Sequence, residues 1–421
     1  MNMYNIKRHW NIIFLHLLAH IIKGVTYTKA DIGTVRNGCI PIVRANNIQG
    51  DKLDYKDLVW VVESRIAPDQ FLRQGDVVVA TSSGSKHLVG KTASFDGKQK
   101  ISCGAFCAIL RPNNLVDNLF FKYFFQTQEY RNFISSYAKG SNINNLKNGD
   151  LAKIQIPVPP LAEQKRIVRK IEELFGVIDR DIQRLTDTLE QLSQFRQSVL
   201  EKLLNNPVYP QISFNDGIEK IIGGSTPSKT VSAYYEGHIP FMTVKDMTSP
   251  RPQDTAWHIT QEAVDNCSTH IIPANTLITA TRVGLGKTVL MPFPVAINQD
   301  LKALVLNKNK VNTRFFEFIL NAKTTEIISK SRGTTVKGIT LEDFKSIKFY
   351  LPTLPEQQKI VDEIEKAFRS ADKVQKAVQN ALEEAKKLKQ SILKKAFAGE
   401  LVPQDPNDKP VNLPVLKGKT K

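Results

Sequence analysis

The chain has 421 residues, with 58 Lys and Arg against 41 Asp and Glu, for a net charge of +17. At roughly 100–200 residues per domain, this length predicts two or three folding units, and a composition 41% hydrophobic and 24% charged argues against long disorder. The positive excess points to a polyanionic partner.

Taken in chain order, residues 12–22 form the most apolar run near the start, but His16 and His20 interrupt it. The run is also shorter than the roughly 18–20 residues a bilayer span needs. Lys7 and Arg8 precede it without a small-residue cleavage site after it, so no signal peptide is expected and the location is read as cytoplasmic. The cysteines are Cys39, Cys103, Cys107 and Cys267, and only Cys103 and Cys107 are close. Neither a disulfide framework nor structural zinc is expected. Strand-like runs at 77–80 and 108–110 lie among Gly, Asn and Pro turns, and a phenylalanine-rich helical stretch follows at 119–130.

Pro157, Pro159 and Pro160 then introduce a long helix over 161–204 that ends before Pro207. Ile171, Phe175, Ile178, Ile182, Leu185, Leu189, Leu192, Val199 and Leu203 recur in a four-three spacing broken only by Arg196, which is a coiled-coil seam. Such a helix is about 66 Å long. Strand-like runs return at 277–280 and 303–306, with a helical stretch at 314–320. A second long helix keeps the register in a more polar form, with Ile364, Phe368, Ala371, Gln375, Val378, Leu382, Ala385, Lys389, Ile392 and Ala396. Beyond Gly399, a tail with four prolines and terminal lysines is expected to be extended and partly mobile.

This order reflects an imperfect duplication. Over 48 positions from Pro159, 16 residues recur identically 193 places later, against about three expected from average usage. Upstream, Gly24, Thr26 and Lys29 recur as Gly224, Thr226 and Lys229, and Thr81 as Thr281. The expected architecture is α+β: two α+β heads separated by two long helices in an antiparallel coiled coil, with a pseudo-two-fold internal repeat. The segments are 1–156 (first head), 157–206 (first helical spacer), 207–350 (second head), 351–400 (second spacer) and 401–421 (tail). Antiparallel pairing is favoured because parallel pairing would crowd both heads together; the alternative is that each rod packs along its own head.

Catalytic signatures are missing. Gly90-Lys91-Thr92 and Gly286-Lys287-Thr288 resemble the end of a phosphate loop, but Ser85 and Thr281 stand where its first glycine is needed. They are read as glycine turns between strands. Gly284-Leu285-Gly286 is too short for a dinucleotide fingerprint, and no Asn-Pro-Pro-aromatic methyltransferase tetrapeptide occurs. Glu384-Ala385-Lys386 reads as a solvated helix face.

What remains are basic and amide-rich loops, whose residue types bind phosphate oxygens and read base edges. The first head offers Arg44, Asn46 and Asn47; Thr81, Ser82, Ser83 and Lys86; and Lys139, Ser141, Asn142, Asn144 and Asn145. The second offers Thr243 and Lys245; Thr281 and Arg282; and Lys330, Arg332, Thr334, Thr335 and Lys337. Thr226 and Lys229 touch phosphate or belong to a plain turn. A coiled-coil scaffold without a DNA role would explain the rods but not the charge or the doubled basic loops.

The helix starts Pro159-Pro160-Leu161-Ala162-Glu163-Gln164-Lys165-Arg166-Ile167-Val168 and Leu354-Pro355-Glu356-Gln357-Gln358-Lys359-Ile360-Val361 strongly resemble those of type I restriction-modification specificity subunits. Gly223-Gly224-Ser225-Thr226-Pro227-Ser228-Lys229 followed by Gly237-His238-Ile239-Pro240 resembles the opening of a target recognition domain in that family. Ala396-Phe397-Ala398-Gly399-Glu400-Leu401-Val402-Pro403 resembles its C-terminal ending. The first head departs from the pattern with Gly24-Val25-Thr26-Tyr27-Thr28-Lys29. The resemblance implies two target recognition domains, each reading half of a split double-stranded DNA sequence. It also implies helices that act as a ruler and dock two modification subunits carrying S-adenosylmethionine. A restriction subunit using ATP and Mg would join the larger assembly, and this chain would hold no catalytic residue, cofactor or metal.

Overall fold

The computed structural model describes residues 10–33, 38–83, 88–139, 145–333 and 337–411, without the side chains of Ala138 and Lys139. The chain divides into two compact units. One comprises Met1–Leu185 with Asn380–Lys421, and the other Thr186–Gln379. Each long helix is therefore shared between the two units.

In the first unit, strand Asn11–Phe14 pairs antiparallel with Gln155–Val158, so the entry and exit of the head lie side by side. A four-stranded sheet follows in the order Ala19–Lys23, Cys107–Pro112, Val77–Ala80, Thr92–Ser94. A three-stranded sheet holds Val59–Val62, Cys39–Val43 and Ser102–Cys103. The second unit repeats this plan. Gln211–Ser213 pairs with Lys348–Tyr350, and a four-stranded sheet runs Ile218–Gly223, Leu301–Leu306, Thr276–Ala280, Thr288–Met291. The sheet Trp257–Ile259, Ile239–Met242, Val295–Ile297, Ile271–Ile272 has one strand more than its counterpart. The apolar run at 12–22 is spent on two strands and a short turn, and among the described residues no helix is long and apolar enough to cross a membrane.

The two glycine motifs are hairpin turns. Gly90 and Gly286 take φ of +79° and +82°, closing Val79 onto Thr92 and Thr279 onto Thr288. Left-handed backbone at both sites explains the glycine without any phosphate.

Phenylalanines form the junction between each head and its helices. Asp117 and Asn312 cap equivalent helices, Asn118–Phe124 and Thr313–Ala322, the first shorter than the 119–130 stretch because the chain turns before a second helix, Gln128–Lys139. Phe120, Phe121 and Phe124 are buried with Ile167, Ile171 and Phe175 in one core, and Phe315, Phe316 and Phe318 with Val361 and Ile364 in the other.

The long helices run Leu161–Leu204 and Leu354–Phe397. Both packing alternatives operate at once. In the first unit the start of the first helix packs on its head and also on Ile392, Leu393, Ala396 and Phe397 from the end of the second. In the second unit Leu200 and Leu204 share a core with Val361 and Ile364. Within each unit the helices are antiparallel, since Asp179 meets Lys389 while Arg166 meets Asp408 further along. Seam positions Ile171, Phe175, Ile178, Ile364, Val378 and Ile392 are buried, whereas Ile182, Leu185, Leu189, Leu192, Val199, Phe368 and Leu382 are half-buried.

Arg196, which breaks the apolar seam, has a structural use. Its guanidinium donates to Asp372 at 2.6 Å and to Gln375 at 2.8 Å and lies 5.9 Å from the Phe368 ring. The repeat-equivalent Lys389 pairs with Asp179 and lies 4.7 Å from the Phe175 ring. Each unit thus has one cation clamped between a carboxylate and an aromatic face of the opposing helix. A half-exposed ion pair with a cation–π contact contributes about 1–2 kcal/mol. Lys389→Glu is expected to lower the melting temperature by several degrees, and pairing it with Asp179→Lys should recover part of the loss. Equal melting of the single and double variants would show that the clamp contributes nothing.

The described part of the tail, 401–411, has no helix or strand and is tied to the first unit, while 412–421 lie outside the described residues. Leu401, Val402 and Val411 pack against the first core, Asp408 accepts from Arg166 at 2.6 Å, and the Val411 carbonyl accepts from Asn11. Partial apolar burial at these three side chains and one charge pair hold this part of the tail to its unit.

Candidate nucleic-acid interface

In the second head the loops at the strand ends are bound to one another. Strand Ile239–Met242 ends at Thr243, whose N–H and hydroxyl donate to Asp246 Oδ2 at 2.7 and 2.8 Å. The other carboxylate oxygen accepts from the Ala256 N–H at 2.9 Å. This tight turn turns Lys245 into solvent and sets Trp257, 49% exposed, beside it. Lys229 Nζ stands 6.0 Å from the indole, and Tyr235 packs edge-on against the same ring.

The adjacent strand Val295–Ile297 ends in Asn298-Gln299-Asp300, and these three residues join the remaining loops. Asn298 N–H donates to the Met242 carbonyl at 3.1 Å, Thr226 Oγ1 donates to Gln299 at 2.6 Å, and the Asp300 carbonyl accepts from the Thr281 N–H at 2.9 Å. The Asp300 carboxylate faces Arg282 at 3.7 Å. Ile339 N–H donates to the Thr281 carbonyl, while Arg332 and Gly338 exchange backbone hydrogen bonds at 2.8 and 2.9 Å. Arg332 also meets Asp343 at 3.4 Å, and Lys337 is exposed. Lys302 reaches the Gln299 carbonyl at 2.9 Å, and burial pushes its pKa down despite the nearby Asp300.

The first head is built on the same plan. Gly104 N–H donates to the Val43 carbonyl at 2.9 Å, the Phe106 carbonyl accepts from Thr81 and Ser82 N–H at 2.8 and 3.1 Å, and Leu146 N–H donates to Thr81. Ser82 bridges Asn145. Gly24 and Gly224 serve one close approach in both copies, because a Cβ would run into the carbonyl oxygens of Gly104 and Ile297 respectively. Arg44 N–H donates to Asn47 Oδ1 at 2.9 Å, Arg44 Nη2 to the Asp57 carbonyl at 2.8 Å, and Asn47 Nδ2 to the Lys56 carbonyl at 2.7 Å. In the opening loop, hydrogen bonds from the Thr28 backbone and hydroxyl and from Arg65 hold the Asp31 carboxyl down at about 2.

The structure therefore brings together Thr226, Lys229, Thr243, Lys245, Thr281, Arg282, Arg332 and Lys337 in one head, and Thr81, Ser82 and Asn145 in the other. Arg44, Asn46 and Asn47 form a turn of the first head after the strand Cys39–Val43, at the place Thr243 and Lys245 occupy in the second. Asn46 is exposed, whereas Asn47, Thr81 and Thr281 are buried at 2%, 7% and 3% exposure and hold loop backbones. Lys86, Ser141, Asn142, Asn144, Thr334 and Thr335 lie outside the described residues, as does the Lys139 side chain. Sequence reasoning missed Phe106, Trp257, Gln299, Asp300 and Lys302. Comparing the halves at an offset of 194 would have aligned Gly104-Ala105-Phe106 with Asn298-Gln299-Asp300 and exposed the shared turn. Among the described residues no cluster of His, Cys, Asp and Glu is arranged to hold a metal.

The family described as type I restriction modification DNA specificity domain matches residues 7–191 and again 210–384. The chain belongs to that family. It is 31% identical to the EcoKI specificity subunit of Escherichia coli K12, over 94% of this chain and 90% of that protein. It is also 31% identical to the StySPI specificity subunit of Salmonella potsdam, over 96% and 92%. A solved chain from work on complex assembly and conformational transition of the type I R-M system has the same fold, with TM-score 0.70 at 20% identity, covering 94% of this chain and all of that one. As a specificity subunit, the chain is a DNA-recognition component rather than a catalytic one. The family model thus matches twice, once over each half of the chain.

Proposed function

We propose that each head reads one half of a split double-stranded DNA sequence through its loop cluster, while the two long helices set the gap and dock two modification subunits. One observation carries this reading. The same hydrogen-bonded junction of strand ends occurs in both heads, each time presenting side chains suited to phosphates and base edges. Exposed Lys229, Lys245, Arg282, Arg332 and Lys337 supply charge in the second head, and Arg44, Asn46, Ser82 and Ser83 supply donors in the first. Buried Asn47, Thr81 and Thr281 keep those loops in place. Methyl transfer from S-adenosylmethionine belongs to the modification subunits, and ATP with Mg to a restriction subunit; this chain contributes recognition and spacing in the cytoplasm.

The test is single-molecule sequencing of base modification in cells carrying the gene with its modification partner, and in cells lacking it. A bipartite methylated motif is expected to vanish on deletion. A motif that persists unchanged after deletion, in a strain whose undeleted parent makes the protein, sinks the proposal. Binding by the assembled complex should also fall steeply with salt, because each neutralised phosphate releases counterions.

A further inference from the structure

We infer that Phe106 is a specificity-determining residue of the first head and packs against the C5-methyl group of a thymine in its half-site. The inference rests on the recognition reading above and assigns one head a chemistry the other lacks.

Phe106 is 68% exposed. Single exposed apolar side chains are common on protein surfaces, so exposure alone says little. Its place in the fold says more. Phe106 sits in the tight turn that joins strands Ser102–Cys103 and Cys107–Pro112, closed by a hydrogen bond from Cys107 N–H to the Gly104 carbonyl at 2.8 Å. Its own carbonyl accepts from both Thr81 and Ser82. The backbone under the ring is therefore fixed to the loop that carries the hydroxyl side chains, and the exposed ring belongs to the candidate interface.

The second head makes the same turn, with Leu301 N–H donating to the Asn298 carbonyl and the Asp300 carbonyl accepting from Thr281 and Arg282. Asp300 occupies the place of Phe106, and Arg282 that of Ser82. There the pair is ionic: the Asp300 carboxylate accepts from Asn298 Nδ2 at 3.1 Å and faces the Arg282 guanidinium. One scaffold thus presents a half-exposed guanidinium beside a carboxylate in one head, and an exposed apolar ring on the turn bonded to the hydroxyl-bearing loop in the other. An arginine in that position suits the acceptor edge of guanine. Of the major-groove edges, only thymine offers an apolar group, its C5-methyl, and phenylalanine is among the side chains that match it.

The experiment uses the full chain assembled with its modification subunits, on duplexes carrying the bipartite motif. Each thymine on either strand is replaced in turn by deoxyuridine, which removes only the methyl. With the unaltered chain, one position in one half-site is expected to lose about four-fold in affinity, the worth of one buried methyl-sized group. With Phe106→Ala the thymine and deoxyuridine duplexes should bind equally at that position. Phe106→Leu should retain part of the discrimination, which separates loss of apolar contact from a damaged turn. Absence of any deoxyuridine-sensitive position overturns the inference, as does sensitivity that survives Phe106→Ala; either leaves two-headed recognition standing. A complex with no bipartite motif overturns the recognition reading and this inference with it.

Discussion

Replacing Gln357 by leucine is expected to destabilise the second unit by roughly 2–4 kcal/mol, since a buried polar group left unpaired costs about 1–3 kcal/mol and the two partly buried ones less. Gln357 has no solvent exposure. Its amide donates to the carbonyls of Lys310 and Pro352 at 2.8 and 2.9 Å, and its carbonyl accepts from the Asn312 N–H at 2.8 Å. Asn312 is the cap of the phenylalanine-rich helix, so one side chain ties head, connecting segment and long helix together. Leucine has a similar volume but leaves one buried carbonyl, one partly buried carbonyl and one partly buried N–H without their partner. Gln164 repeats the arrangement in the first unit, donating to Leu115 and Pro159 carbonyls and accepting from Asp117 N–H at 2.7 Å. Gln164→Leu should therefore lower the stability of the first unit by a similar amount. Thermal unfolding followed with limited proteolysis checks this, each variant exposing cleavage sites mainly in its own unit. Variants melting within a degree of the unaltered chain would refute the assignment.

The identical glutamines were visible in the sequence as part of the repeat, but their use was not. A residue recurring at offset 193 shows that something is shared, while only the fold shows that three backbone groups depend on it. The long helices were legible because a four-three apolar spacing over many turns admits few other readings. Arg196 looked like a flaw in that spacing until Asp372 and Phe368 were found around it. Loop residues were harder, because residue type does not separate a side chain that reads from one that builds. Asn47, Thr81 and Thr281 have the right chemistry for base contacts and are consumed by their own loops. Phe106 has the wrong chemistry for a polar search and stands exposed on the turn bonded to Thr81 and Ser82. The docking of residues 401–411 was not legible, because Leu401, Val402 and Val411 reach a core assembled from distant segments.

Lengthening both long helices by seven residues at matched points between the clamps is expected to widen the gap between half-sites and leave the half-sites unchanged. Asp179 and Arg196 are separated by seventeen residues, as are Asp372 and Lys389. Insertions after residues 187 and 380 keep both clamps and both phenylalanine junctions within their own sequence neighbourhoods. Seven helical residues add about 10.5 Å, with a rotation of about 20° relative to a strict heptad repeat. At 3.4 Å per base pair, the gap should grow by up to about three base pairs. An insertion in one helix alone has a different cost. It moves one clamp cation a full heptad from its carboxylate and ring, so a changed gap should come with a lower melting temperature and weaker methylation. Deleting a matched heptad should shorten the gap by a similar amount. Base-modification sequencing with each variant reads gap and half-sites in one measurement. An altered half-site with a constant gap would mean that the helices support recognition without measuring distance.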